Sequence, residues 1–225
     1  MTLLIYDCDG VLVDSEALAS SALAELMTTL GHPMSAAECN RVFGGRSVQD
    51  VLARAAQILG HRIPQHLGRD AAERLMGRFR RELKPVQGAA DAIAALPYAR
   101  CVCSSSSPER LSLSLDVTGL APLFGDRVYS AAQVSRGKPA PDLFLFAADT
   151  IGVAPSQAIV IEDSILGIEA ARAAGMTSIG FTGASHVMDD LAGELAAAGA
   201  QAIVTRMAEL PFAVSRLVSG NSALR

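Results

Sequence analysis

The chain begins with a short apolar run that ends in two aspartates. Leu3 to Tyr6 lead directly into Asp7 and Asp9, within the sequence LLIYDCDGVLVDSE. The apolar run predicts a buried strand, and both carboxylates would then lie at its carboxyl end. Buried ionised acids are costly unless they are paired or bound to a metal. We therefore expect a cation or cationic group at this point of the fold.

Further apolar runs rich in Val and Ile recur along the chain, at residues 99–104, 127–130, 158–163, 177–182 and 201–205. From residue 88 onward these runs alternate with helix-like stretches. Such alternation is typical of parallel β-α units that carry helices on both faces of the sheet. The sequence thus predicts an α/β fold with a doubly wound, Rossmann-like parallel sheet.

Residues 16–83 follow a different pattern from the rest of the chain. Apolar residues recur there at helical spacing, and capping-box patterns begin at Ser35 and Ser47. We find no convincing strand in this stretch. We therefore predict a core domain made of residues 1–15 and 84–225, interrupted by an all-helical cap domain made of residues 16–83. The junctions near residues 15–16 and 82–86 are predicted to act as hinges.

Charged and hydroxyl residues follow several of the predicted strands. The first strand precedes the two aspartates, and the others contribute Ser104, Ser105, Lys138, Glu162 and Asp163. Ligands of open α/β sheets bind beyond the carboxyl ends of the strands. Carboxylates with one lysine and a hydroxyl describe a Mg²⁺ site that also accepts a phosphate. Taken singly, the serines could be turn residues, Asp163 a helix cap and Lys138 a solvated lysine.

In chain order these motifs resemble those of the haloacid dehalogenase (HAD) superfamily. Residues 7–16 are similar to its D-x-D-G-x-[LV]-x-D-[ST] signature. Ser104, Lys138-Pro139 and Glu162-Asp163-Ser164 resemble the second, third and fourth motifs. The helical insertion resembles the cap of the β-phosphoglucomutase-like branch of sugar-phosphate phosphatases.

The resemblance implies a role for each matched residue. Asp7 would attack phosphorus to form an aspartyl-phosphate, and Asp9 would act as general acid and base. The implied Mg²⁺ ligands are the carboxylate of Asp7, the backbone carbonyl of Asp9, Asp163 and, as an added ligand or a partner of the ligands, Glu162. The implied phosphate cradle consists of Ser104, the amide of Ser105 and Lys138.

The resemblance implies a phosphatase for a small phosphorylated metabolite, either a sugar phosphate or a phosphorylated sugar acid such as 6-phosphogluconate. A phosphomutase is the alternative within the branch. Mutases carry a histidine in the first cap helix, at the position of Ala19 in this chain. A phospho-accepting receiver domain is the alternative from another class, but receivers are shorter and carry no helical insertion.

The loop between two predicted cap helices is the candidate for substrate recognition. It contains Gly45, Arg46 and Ser47, and related proteins bring the equivalent loop down over the active site. A guanidinium group suits an anionic or polyol group of the substrate, which makes Arg46 the main candidate. An ordinary surface arginine is the alternative.

Composition narrows the range of partners. The net charge of −4 argues against general affinity for nucleic acid or acidic membranes. No apolar run reaches the roughly 18 residues that a membrane helix needs, and we see no signal peptide. The four cysteines lack zinc-binding spacing. We expect a cytoplasmic protein with reduced thiols and a small-molecule substrate, which is a monomer or a weak dimer.

Overall fold

A six-stranded parallel sheet forms the centre of the computed structural model, which describes residues 1–185 and 190–222. Its strands are β1 (Leu3–Tyr6), β2 (Ala99–Ser104), β3 (Val128–Ser130), β4 (Ala158–Glu162), β5 (Thr177–Phe181) and β6 (Ala202–Val204). They are arranged in the order β3-β2-β1-β4-β5-β6, and every neighbouring pair is parallel. The chain therefore builds the sheet outward from β1 in both directions, which confirms the predicted doubly wound fold.

After β1 the chain forms four helices in succession before it returns to the core, namely α1 (Glu16–Thr29), α2 (Ala36–Phe43), α3 (Val48–Leu59) and α4 (Gln65–Glu82). They have a small hydrophobic core of their own, which includes the buried side chains of Met27, Cys39, Phe43 and Ala55. Ser35 and Glu38 form a reciprocal capping box at the start of α2. The helical character of this stretch agrees with the sequence, and its division from the core at residues 16 and 83 stays a prediction.

Helices cover both faces of the sheet. They are α5 (Ala89–Ala94), α6 (Pro108–Val117), α7 (Asp142–Ile151), α8 (Ile165–Ala173), α9 (Leu191–Ala198) and α10 (Leu210–Ser222). Strand β1 shows why both faces are apolar, because its side chains point alternately to opposite sides. Leu4 and Tyr6 belong to one buried cluster, whereas Leu3 and Ile5 belong to the other.

The two chain segments that connect the helical stretch to the sheet lie side by side. The amide of Asp14 donates to the carbonyl of Lys84 at 3.0 Å, and the amide of Val86 donates to the carbonyl of Leu12 at 2.9 Å. Val13 and Pro85 form an isolated antiparallel bridge between these hydrogen bonds. Both connections therefore leave the core at one place, where the sequence predicts the hinge.

Two further features bear on the expected environment of the protein. Cys8, Cys39, Cys101 and Cys103 are all buried free thiols. Within residues 1–185 and 190–222, no helix is both long enough and apolar enough to cross a membrane.

Candidate active site

The carboxyl ends of the three central strands meet at one cavity of about 180 Å³. Because β1 lies between β2 and β4, residues that follow these strands become neighbours. The cavity is lined by most of the residues that the sequence singled out, namely Asp7, Asp9, Ser104, Ser105, Lys138, Glu162, Asp163, Gly45 and Arg46. Ser47, the remaining candidate residue, is not part of this lining.

Lys138 is buried at the centre of this group. Its Nζ donates to Asp7 Oδ1 at 2.7 Å, to the carbonyl of Cys103 at 3.1 Å, and to Glu162 Oε1. The side chain of Lys138 is only 2% exposed and that of Glu162 only 1% exposed. The alternative of a solvated lysine is therefore wrong. Lys138 instead neutralises part of the negative charge that the strand ends bring together.

Three carboxyl groups form a cluster next to the lysine. Oxygen atoms of Asp7, Glu162 and Asp163 all lie within 4.8 Å of one another. Burial raises the pKa of Asp7, as does the nearby Glu162, while Lys138 opposes the rise. Burial likewise raises the pKa of Asp163, together with the charges of Glu162 and Asp7. A cluster of carboxyl groups such as this is suited to a hard divalent cation, because Mg²⁺ binds carboxylate oxygens.

Two glycines allow these carboxyl groups to approach the backbone. Gly10 has a φ of +78°, and a Cβ atom at this position would lie 1.8 Å from Oδ2 of Asp163. A Cβ atom on Gly167 would lie 1.9 Å from Cδ of Glu162. Any larger residue would therefore displace a carboxyl group of the cluster, so glycine is required at both positions.

The carboxylate of Asp9 points away from this cluster and accepts three short hydrogen bonds. They come from Ser15 Oγ at 2.5 Å, from Ser106 Oγ at 2.6 Å and from a terminal nitrogen of Arg110 at 2.6 Å. Burial tends to raise the pKa of Asp9. The Arg110 guanidinium and the two hydroxyls outweigh burial and hold that pKa below its ordinary value. Asp9 is therefore kept as a carboxylate.

Sequence reasoning missed these partners of Asp9. Arg110 is the most informative of them, because its guanidinium carbon also lies 5.0 Å from the centre of the Phe79 ring on α4. It thus contacts both the core carboxylate and a helix of the insertion. One signal was available: Ser107 caps α6 and Arg110 lies in the first turn, so the side chain starts close to the end of β2.

The loop between α2 and α3 lies against the core. A Cβ atom on Gly45 would be 3.0 Å from the Cβ atom of Ser164, which directly follows Asp163. Arg46 is exposed at the rim of the cavity, and its Nε donates to the carbonyl of Val42 at 3.3 Å. Ser47 instead caps α3, because its Oγ accepts from the Asp50 amide at 3.2 Å. The geometry thus supports a cavity role for Gly45 and Arg46 but not for Ser47.

The part of the cavity that lies between the helices of the insertion is largely apolar. Its lining includes Ala19, Ala22, Leu23, Leu26, Phe43, Val51, Leu52, Ala71, Ala72 and Leu75. Glu16 and Ser20 add polar groups near the first turns of α1. Burial, with a contribution from the charge of Asp9, raises the pKa of Glu16 to about 7. Among the described residues that line the cavity there is no histidine.

Comparisons with known proteins agree with this arrangement. Residues 1–175 match the family model of the haloacid dehalogenase-like hydrolases. The 6-phosphogluconate phosphatase of Escherichia coli (strain K12) is 27% identical over 185 residues, which cover 80% of this chain and 82% of that protein. The phosphorylated carbohydrates phosphatase of Thermotoga maritima is 30% identical over 217 residues, which cover 91% of this chain and 94% of that protein.

A solved structure extends the similarity to almost the whole chain. It is a conserved haloacid dehalogenase-like protein of unknown function from Agrobacterium tumefaciens, 39% identical to this chain, with a TM-score of 0.85. The match covers 97% of this chain and 99% of the other. The receiver-domain alternative is therefore wrong. The sheet order, the strand-end motifs and the family match together show that the chain belongs to the haloacid dehalogenase-like hydrolases.

Proposed function

We propose that this protein is a Mg²⁺-dependent phosphatase that hydrolyses a small phosphorylated metabolite through an aspartyl-phosphate. The observation that carries the proposal is the pairing of Asp7 with the buried Lys138 beside the carboxyl groups of Glu162 and Asp163. In this site the carboxylate oxygens of Asp7 and Glu162 surround the buried ammonium group of Lys138. The names of the relatives support sugar phosphates and phosphorylated sugar acids as first candidates.

In the first step a carboxylate oxygen of Asp7 attacks phosphorus, and the bond between phosphorus and the ester oxygen breaks. Asp9 donates a proton to the departing alkoxide, so that an alcohol leaves. In the second step a water molecule attacks the aspartyl-phosphate and gives its proton to Asp9. Inorganic phosphate leaves, and the carboxylate of Asp7 is restored.

Phosphoryl transfer depends mainly on positioning and on charge neutralisation. Ser104, the amide of Ser105 and Lys138 would hold the phosphate oxygens. Mg²⁺ would be held by Asp7, the carbonyl of Asp9, Glu162 and Asp163, and when bound it supplies positive charge to the anionic phosphate. Lys138 contributes to the same neutralisation, because its Nζ already bonds two of the carboxylates.

Asp9 must carry a proton before it can act as an acid, and its hydrogen bonds oppose protonation. A carboxylate that accepts from Arg110 and two hydroxyls is stabilised in its unprotonated form. An anionic ester that binds beside Asp9 raises the free energy of that charged form. We therefore expect Asp9 to take up a proton, and to loosen its bond to Arg110, as the substrate binds.

A phosphomutase remains the second candidate within this family branch. The position at which mutases carry their histidine is Ala19, whose side chain lines the cavity without any acid-base group. A mutase has to prevent water from hydrolysing its aspartyl-phosphate while the reaction intermediate reorients in the site. The lining of the cavity therefore favours hydrolysis.

A phosphate-release screen over phosphorylated metabolites with Mg²⁺ tests the proposal. We expect sustained release of inorganic phosphate from at least one metabolite and from p-nitrophenyl phosphate. Activity should disappear with EDTA and return with added Mg²⁺, because the buried carboxyl cluster repels an anionic phosphate without the cation. Turnover that persists in EDTA would contradict the proposed metal dependence.

Arg46→Ala tests the proposed role of the loop. Because Arg46 is exposed at the cavity rim, its contact with an anionic or polyol substrate would be partly screened by water. We expect kcat/KM for the best metabolite to fall about 10-fold, or roughly 1.4 kcal/mol. Hydrolysis of p-nitrophenyl phosphate should change much less. Arg54→Ala is the control, since Arg54 is exposed on α3 outside the cavity; equal losses for both esters would refute a recognition role for Arg46.

A further inference from the structure

The apolar end of the cavity is bounded by small residues on two helices that pack together. Ala19 and Ala22 lie on α1, while Gly68, Ala71 and Ala72 lie on α4, and all five line the cavity. Their spacing of three or four residues places each set on one helix face. Ala72 is exposed, but larger side chains at the other four positions would occupy space between α1 and α4. The space therefore exists because the sequence keeps these positions small.

The remaining walls of this end are mostly apolar, and Ser20 of α1 is a polar side chain among them. Leu26 of α1, Phe43 of α2 and Leu52 of α3 line it. Charged groups lie at the other end, where Glu16 and Arg110 are close to Asp9. The cavity therefore has two chemically different ends. One carries the lysine and the carboxyl groups that suit a phosphate and a metal ion, and the other offers few side-chain hydrogen-bond partners besides Ser20.

The size of the cavity limits what can occupy both ends together. Its volume is about 180 Å³ with the strand-end residues included. An apolar cavity of roughly 150 Å³ is enough to bind benzene. With a phosphate at the charged end, the space at the other end matches about one small ring or a short branched chain.

We propose that the apolar end binds the alcohol part of the substrate, and that this alcohol is a single apolar ring or a short branched chain. The inference rests on the proposed phosphatase activity, and it replaces the first substrate candidates with a different class of ester. It favours an ester whose body is largely hydrocarbon over a phosphorylated polyol or sugar acid. The reason is desolvation: most of the hydroxyl groups placed against these walls would lose water without a replacement hydrogen bond, whereas each buried methylene group gains from leaving water.

Two esters with the same six-membered carbon ring make a matched test by hydrolysis. Cyclohexyl phosphate carries no ring hydroxyls, and myo-inositol 1-phosphate carries one on each remaining carbon. We expect kcat/KM with Mg²⁺ to be at least about 10-fold higher for cyclohexyl phosphate. Equal values, or a preference for the inositol ester, would overturn the inference.

Ala71→Leu tests whether the space itself binds the ring. A leucine at Ala71 projects into the cavity, so we expect kcat/KM for cyclohexyl phosphate to fall about 10-fold while the value for methyl phosphate is unchanged. Ala53→Leu is the control, because Ala53 is exposed on α3 and does not line this cavity. If Ala71→Leu raises the melting temperature and leaves both esters unchanged, the space is a packing gap and the inference is wrong.

A binding measurement with ligands that cannot be hydrolysed tests the apolar subsite independently of phosphatase activity. Calorimetry with Mg²⁺ would compare cyclohexylphosphonate with methylphosphonate, neither of which can be hydrolysed as an ester. We expect cyclohexylphosphonate to bind at least about 10-fold more tightly to the parent protein, and Ala71→Leu to remove that preference. The same preference in a protein that releases no phosphate from any ester would refute the phosphatase and leave the apolar subsite standing. Equal binding of the two phosphonates would overturn the subsite even in an active phosphatase.

Discussion

Asp7→Asn is expected to abolish phosphate release, with a loss on the order of 10⁴-fold or more in kcat. The amide of asparagine is a poor nucleophile and cannot form the acyl-phosphate. The substitution also removes a negative charge from the carboxyl cluster that would hold the metal. The loss should be similar for every ester, because all of them need the same attack on phosphorus.

The fold should survive this change. Removing one partner of a buried ion pair usually destabilises a protein, because a charge is left unpaired. Here Lys138 keeps its bonds to Glu162 and to the carbonyl of Cys103, so its charge remains compensated. Circular dichroism and phosphate release from p-nitrophenyl phosphate would be measured together. Asp149→Asn, at an exposed position on α7, is the matched control, and near-parental activity of Asp7→Asn would exclude Asp7 as the nucleophile.

The sheet and most of the candidate site were predictable from local patterns. An apolar run followed by Asp7 and Asp9 marks β1 because a buried strand needs apolar side chains on both faces. Lys138 and Glu162 could be assigned to the same site because parallel strands end at the same edge of the sheet. Those inferences need only the order of elements along the chain.

The partners of Asp9 were not predictable in the same way. Ser106 and Arg110 are separated from Asp9 by 97 and 101 positions in the chain, so their contacts depend on the pairing of β2 with β1, which brings the segment after β2 next to the end of β1. Ser47 illustrates a second limit of local sequence. Its place in a glycine-containing loop suggested a substrate contact, yet its hydroxyl is used to cap α3. Local sequence does not distinguish a capping hydroxyl from a binding one.

The apolar end of the cavity also lay beyond sequence reasoning. Ala22 and Leu26 of α1 have the spacing of ordinary core residues, so the sequence alone predicts that they pack in the core. Only the arrangement of α1 against α4 shows that Ala71 leaves space beside them. The missing information is the volume between helices, which depends on several distant small residues at once.

Asp9→Asn should separate the proton-transfer role from the rest of the site. For alkyl esters the departing alkoxide needs a proton, so we expect kcat/KM to fall on the order of 10²-fold or more. For p-nitrophenyl phosphate the loss should be several-fold at most, because the leaving phenolate is stable without a proton. The comparison uses kcat/KM because this ratio reports the first step, before water attacks the aspartyl-phosphate.

The proposed metal contact of residue 9 is its backbone carbonyl, so Asp9→Asn should keep Mg²⁺ binding, which titration calorimetry can measure. The side-chain oxygen of asparagine can still accept from Arg110, which should preserve the contact between α6 and the loop after β1. Asp116→Asn, an exposed position on α6, is the control for the substitution itself. If Asp9→Asn lowers kcat/KM equally for alkyl and p-nitrophenyl esters, then Asp9 positions its neighbours and does not donate a proton. Lost Mg²⁺ binding in the same variant would place its carboxylate, and not only its carbonyl, among the metal ligands.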